Sequence, residues 1–464
     1  MLTGRTTMKS VIATALLTAA LISGSATAAA AEDYRTYTGS IDGAAYLVKV
    51  PTRWNGDLVL YSHGYFPLGY DPGRIALANR PETEGWLLEQ GYALAASDYK
   101  GRTGAAYEQG PRDQQALLDW FGKNVRQPKR TVALGSSMGG ALSIMLAEKS
   151  PRRFAGVASL CGPIDLNSAW NGILDVSFAL KTLLAPDKNI ELVRVTNPQQ
   201  SAELLQAAIT QALTTPEGRA RLALAGALGN VPGWVTADKP RSADVAEQIR
   251  QQAFQISLIH VNTFGPFARV DLEQRAGGNP SWNTGIDYAR QLARSGEREL
   301  VREAYRAAGM DLHADLAALA AAPRVGADPA AADWMSRFAV PSATTPTPVL
   351  TLHNVADSAE PGNERWYAQQ VRRSGEPNRL RQLYADRPGH CSFSSAEEIV
   401  VLEALFDRID TGRWPHLDPR HLNAAAGKFG ADHHKVTDVA TFRDVPAAPG
   451  FVRFTPDPLM RPSR

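Results

Sequence analysis

The 464-residue chain carries 49 Lys and Arg against 47 Asp and Glu, and 44% of its residues are hydrophobic. A formal charge of only +2, with no basic block, excludes nucleic acid as an expected partner. Beyond the first residues no stretch approaches the ~18 apolar residues of a membrane span, so a soluble protein without stable membrane insertion is expected.

Residues 1–31 read as an export signal. Arg5 and Lys9 give a positive start, Val11 to Ile22 an apolar run, and Ala26-Thr27-Ala28 and Ala29-Ala30-Ala31 two small-residue cleavage sites. Removing them leaves no net formal charge and implies a secreted protein, extracellular or periplasmic. In that compartment the two cysteines, Cys161 and Cys391, are compatible with a disulfide or with two buried thiols.

From residue 32 to 166 short apolar runs alternate with helical patterns. Ala45–Val50, Leu58–Ser62, Tyr92–Ser97, Thr131–Gly135 and Val157–Cys161 predict strands, with helices over Pro81–Gln90, Arg112–Val125 and Met138–Lys149. Continuously apolar strands separated by helices predict a mostly parallel sheet covered on both faces. Across 167–345 the strand pattern stops and helical patterns replace it, among them Ser201–Leu213, Ser242–Thr263, Asn283–Arg294 and Arg298–Ala308. This segment is expected to be a helical cap inserted into the α/β unit. Strand and helix resume over 346–410, with Pro348–His353, Asn363–Arg373, Leu380–Tyr384 and Ala396–Ile409. Residues 411–464 show little periodicity and are expected to pack on the core through Phe451, Phe454 and Leu459.

The most informative run is Gly135-Ser136-Ser137-Met138-Gly139, which joins an apolar strand to a helix. Strand, tight turn and helix in that order form a nucleophile elbow, with the Ser137 hydroxyl at the helix N-terminus, where negative charge is favoured. A serine needs a base, and the base an orienting carboxylate. Downstream, Asp357 lies in the turn after the strand ending at His353, and His390 follows Gly389 in a later loop. Asp165 is the rival for the acid. Nothing around His433-His434 supports a metal site, and no metal or cofactor is expected. The oxyanion is expected to be held by the backbone N–H groups of Met138, directly after the nucleophile, and of Tyr65, after His63-Gly64. His63 is expected to brace that loop, and His353 to be a packed core residue.

With His63-Gly64, Ser97-Asp98-Tyr99, the Ser137 elbow, Asp357 and Gly389-His390 in this order, the chain resembles the serine α/β-hydrolase superfamily. The resemblance covers about 45–165 and 345–410 and implies an α/β fold with acyl transfer to water. Within the superfamily, His390-Cys391 is similar to the His-Cys pair of tannase and feruloyl-esterase-like enzymes, which tether that cysteine to one directly before the serine. Ser136 stands at that position here, so the resemblance implies a bridge to Cys161 instead. Three functions remain open: a carboxylic-ester hydrolase acting on a small or polymeric ester; an exopeptidase that grips a free amino group through Asp244, Glu247, Asp271 or Glu273; and a non-catalytic binding protein.

Overall fold

The computed structural model describes residues 33–463, and the expected export signal lies outside them. The strands are β1 (Tyr34–Ile41), β2 (Ala44–Pro51), β3 (Asp57–Ser62), β4 (Ala93–Ser97), β5 (Arg130–Ser136), β6 (Gly156–Leu160), β7 (Val349–Ala356), β8 (Leu380–Pro388), β9 (Lys435–Asp438), β10 (Arg443–Pro446) and β11 (Phe451–Val452). Nine of them form one sheet in the order β1-β2-β4-β3-β5-β6-β7-β8-β11, while β9 and β10 form a separate hairpin. From β4 through β8 every pairing is parallel; β1, β2 and β11 add antiparallel edges. Strands β3, β4 and β6 are buried along their whole length, as expected for a sheet with helices on both faces.

Helices α1 (Pro81–Glu89), α2 (Gln109–Asn124) and α3 (Met138–Lys149) connect the first parallel strands. Between β6 and β7 come nine helices. They are α4 (Leu166–Leu184), α5 (Pro198–Ala212), α6 (Pro216–Leu228), α7 (Val245–Gln255), α8 (Pro266–Ala276), α9 (Tyr288–Arg294), α10 (Arg298–Ala308), α11 (Leu312–Ala321) and α12 (Pro329–Phe338). No strand interrupts them among the described residues, in line with the loss of period-2 pattern in the sequence. They have a core of their own, built from side chains such as Phe178, Leu205, Leu224, Ile249, Val301 and Leu319. Then α13 (Gly362–Ser374), α14 (Ser395–Thr411) and α15 (Pro419–Ala426) complete the chain.

Three features differ from the sequence reading. β1 lacks alternating burial and pairs only with β2 at the sheet edge, so its pattern gave no strand signal. The run expected as one helix over Ser242–Thr263 splits: α7 ends at Gln255 and a π-helical stretch follows over Ile256–Thr263. The last fifty residues, expected to show little periodicity, hold α15, β9, β10 and β11. Phe451 pairs with Ala385 of β8, Phe454 meets the Tyr384 ring edge-on at 5.3 Å, and Leu459 is buried. Beyond them Arg461 pairs with Asp175 of α4, and the Ser463 hydroxyl donates to Asp165 at 2.6 Å.

Candidate active site

The centre of the site follows from the packing of two backbones. Gly139 leaves no room for a side chain: a Cβ there would stand 1.9 Å from the Ser62 carbonyl oxygen at the end of β3. The turn between β5 and α3 is therefore tight, and Ser137 adopts φ 55°, ψ −128°, a conformation most side chains avoid. Its N–H donates to the Leu160 carbonyl at 2.9 Å, and the preceding Ser136 hydroxyl is 2.6 Å from the Tyr61 hydroxyl in the core. The strain is thus held from both sides.

Two loops at the same end of the sheet meet this turn. His390 Nε2 lies 2.7 Å from Ser137 Oγ, and its Nδ1 lies 2.9 and 3.1 Å from the Asp357 carboxylate oxygens. Asp357 is buried and its Oδ1 also accepts the Ala359 N–H at 2.8 Å. Burial opposes its charge, but His390 and His353 overcome that and hold the carboxyl well below the usual range. Asp165, the rival acid, caps α4 by accepting the Ser168 N–H at 2.9 Å and also takes the Ser463 N–H and hydroxyl. Both ring nitrogens of His390 are used by Ser137 and Asp357. Accordingly, Asp357→Asn is expected to cost about 10⁴-fold in kcat through loss of the correct tautomer. Asp165→Ala should lose about 1–2 kcal/mol of stability through its capping role, with far less effect on turnover. Steady-state kinetics and thermal melts of the two variants check this; the reverse pattern would reassign the acid.

His353 is not a simple core residue. It is fully buried with Nε2 3.3 Å from Asp357 and Nδ1 3.4 Å from Glu364, whose other oxygen accepts the Thr351 hydroxyl at 2.6 Å. Burial alone would strip its proton, yet the two carboxylates raise its pKa to about 9. His353 and His390 thus both contact the Asp357 carboxylate. The four-residue spacing from His353 to Asp357 was the only sequence signal of this pair.

Upstream, Gly64 lies against the nucleophile: a Cβ there would be 3.0 Å from Ser137 Cβ. This brings the Gly64-Tyr65 backbone beside Ser137. Met138 opens α3, so its N–H has no acceptor within the helix. His63 stacks between Phe66 and Tyr99 at 4.6 and 4.1 Å, and its Nδ1 lies 2.7 Å from the Gly64 carbonyl. Burial keeps it neutral, with a pKa of about 4, as a brace needs to be. Cys161 and Cys391 form a disulfide, with Cα atoms 5.2 Å apart, joining the end of β6 to the residue after His390.

Above Ser137 opens a cleft of about 780 Å³, mouth included, walled by Tyr65, Tyr107, Met138, Leu166, Trp170 and Phe264 among others. Its largely apolar wall suits a small organic substrate. Asp244, Glu247, Asp271 and Glu273 do not line it. Asp244 caps α7, Glu247 pairs with Arg250, Asp271 with Arg275, and Glu273 accepts the Arg194 N–H. One acid does line it. Glu360, at φ 46°, accepts the Met460 N–H at 2.7 Å, and burial raises its pKa to about 8 despite that bond. Between pH 4.5 and 8 the unfolded chain has lost this proton while the folded protein keeps it. The stability due to this group is therefore full below pH 4.5 and is lost as pH rises through 8. Glu360→Gln is expected to melt progressively higher than the parent protein from pH 5 to pH 8; parallel Tm curves would refute this.

The family model described as putative esterase matches residues 81–261. The o-phthalyl amidase of Xanthobacter agilis is 30% identical over 419 residues, covering 83% of this chain and 89% of that protein. The chain belongs to this amidase's family, within the α/β-hydrolase superfamily. Among solved structures, the hydrolase is similar to an esterase from Aspergillus oryzae, with 14% identity and a TM-score of 0.39 over 82% of this chain and 80% of that one. It is also similar to Est1E from Butyrivibrio proteoclasticus, with 12% identity and a TM-score of 0.34 over 81% and 99%.

Proposed function

We propose that this hydrolase is an exported serine esterase whose nucleophile is Ser137, with His390 as base and Asp357 as orienting acid. The observation that carries the reading is the continuous contact from Ser137 Oγ through the His390 ring to buried Asp357. His390 Nε2 takes the Ser137 proton as Oγ attacks the ester carbonyl. The N–H groups of Tyr65 and Met138 face the oxyanion that forms. Collapse of the tetrahedral adduct breaks the bond to the alkoxy oxygen, which leaves with the proton held by His390. Water, deprotonated by His390, then attacks the acyl-serine, and the acid departs with Ser137 re-protonated. The segment α4–α12 serves as a cap that supplies much of the acyl pocket. The disulfide and the sequence pattern of residues 1–31 support export, and no described helix is long and apolar enough to cross a membrane.

The kinship with o-phthalyl amidase favours a second reading, cleavage of an aryl amide by the same steps with an amine as leaving group. No acid of the helical segment is placed in the cleft to hold a free amino group, which disfavours the exopeptidase. Purified protein assayed on p-nitrophenyl esters, phthalyl amides and aminoacyl p-nitroanilides separates these readings. The esterase reading expects the esters to have the highest kcat/KM. Turnover of phthalyl amides alone would replace it with the amidase, and turnover of the anilides alone with the exopeptidase.

A further inference from the structure

The row of contacts that starts at Ser137 does not stop at Asp357. The Asp357 carboxylate meets His390, the Ala359 N–H and, 3.3 Å from its Oδ2, the Nε2 of His353. On the far side of that ring, Nδ1 lies 3.4 Å from Glu364. Glu364 in turn accepts the Thr351 hydroxyl of β7 and the side-chain amide of Gln382 of β8. Asp357, His353 and Glu364 are all buried. Carboxylates are rarely buried unless paired, and here two of them share one histidine.

Strand period explains the placement. Val349, Thr351 and His353 share the face of β7 that packs on α13, whose first turn carries Glu364, while Leu350 and Leu352 face α14. His353 Nε2 makes no well-aligned hydrogen bond, so its contact with Asp357 is between charges and not a shared proton. The charged groups it meets are Asp357 and Glu364, which keep its ring protonated through neutral pH. The other titratable groups on the elements packed against it carry no charge there. Tyr367 of α13 and Tyr384, its register partner on β8, are phenols that burial pushes up, and Cys161, at the end of β6, is in the disulfide. A leucine at 353 would leave two carboxylates buried with no cation between them, a costly arrangement.

We propose that His353 and Glu364 are positioning residues for the reaction: they hold the Asp357 carboxylate and set the charge it presents to His390. The proposal rests on the reading of Ser137, His390 and Asp357 as a triad. In this row the cation stands next to Asp357 and the second anion one place further away. The cation offsets part of the negative field that Asp357 exerts on His390, which favours the unprotonated base. Glu364 acts in the opposite sense, because it offsets His353. Removing either charge should therefore move the pH dependence of the nucleophile, and in opposite directions.

The test follows the rate at which a fluorophosphonate modifies Ser137, read by intact mass from pH 5 to 9, so that no substrate need be known. His353→Gln, which keeps a donor but loses the charge, should move the acidic limb of this profile up by about one pH unit. It should also lower the plateau by about tenfold or more, because Asp357 loses a contact that orients it. Glu364→Gln should move the limb down by about half a unit, and the double variant should fall between the two. Loss of packing alone would lower the plateaus and leave both limbs in place. In the parent protein labelled with ¹⁵N at its nine histidines, one imidazole should still hold protons on both nitrogens at pH 8, and should lose the second at lower pH in Glu364→Gln. If His353→Gln does not fold, the Glu364→Gln limb and this spectrum decide. A parent whose Ser137 is not labelled would sink the triad reading and the proposal with it. Labelling with limbs that stay in place or move together, or no doubly protonated ring at pH 8, would overturn the proposal alone.

Discussion

Ser137→Ala is expected to lower kcat on a p-nitrophenyl ester by about 10⁵–10⁶-fold, the loss typical when a triad serine is removed. The size follows from the architecture. His390 has both nitrogens committed, so it has no second hydroxyl to deprotonate, and only the oxyanion donors and the cleft remain to assist attack by water. The fold should tolerate the change. Alanine keeps the Cβ, so the φ 55° backbone is no more strained than before, and the Ser137 N–H still reaches the Leu160 carbonyl. Tm within a few degrees of the parent, with loss of fluorophosphonate labelling by mass spectrometry, is the expected pair of results. Residual turnover within a hundredfold of the parent would remove Ser137 from the chemistry.

Breaking the Cys161–Cys391 bridge should have the largest effect on stability. It closes a loop of 230 residues that contains the whole of α4–α13, β7 and β8. In the chain-entropy view that closure is worth about 5 kcal/mol, a fall in Tm of about 5 °C for a chain of this size. Activity should fall as well, because Cys391 is covalently continuous with His390 while Cys161 ends the strand beside the Ser137 strand. The double variant Cys161→Ala/Cys391→Ala, compared with the parent in thermal melts and ester assays, checks both effects. An unchanged Tm would mean that packing alone fixes the His390 loop. Intact-mass shifts on alkylation, with and without reductant, establish which form is being melted.

How much of this was legible in the sequence depended on whether a signal was local. The elbow was, because two glycines, a serine and a strand-to-helix switch sit within a dozen residues. Asp357 and His390 were legible from chain order, since each follows an apolar strand and the parallel sheet delivers both loops to one end. β1 was not, as an edge strand with neither face fully buried carries no period. His353 was read by its apolar neighbours in β7, and its two carboxylate partners become visible only when β7 and α13 are packed. The role of Asp165 was not legible, for its partner Ser463 lies nearly three hundred residues away.

That last contact also sets an order of assembly. A ribosome delivers the chain from its N-terminus, so Asp165 and Asp175 emerge long before Ser463 and Arg461 exist. Until Arg461 and Ser463 arrive, Asp175 lacks its Arg461 partner in the helical core, and the first turn of α4 lacks its outer clasp at Asp165. The pocket wall is thus a late and non-local product of folding, while the sheet strands β3 to β6 can pair from contacts already made. A site arranged this way takes its final form only after Arg461 and Ser463 have been made.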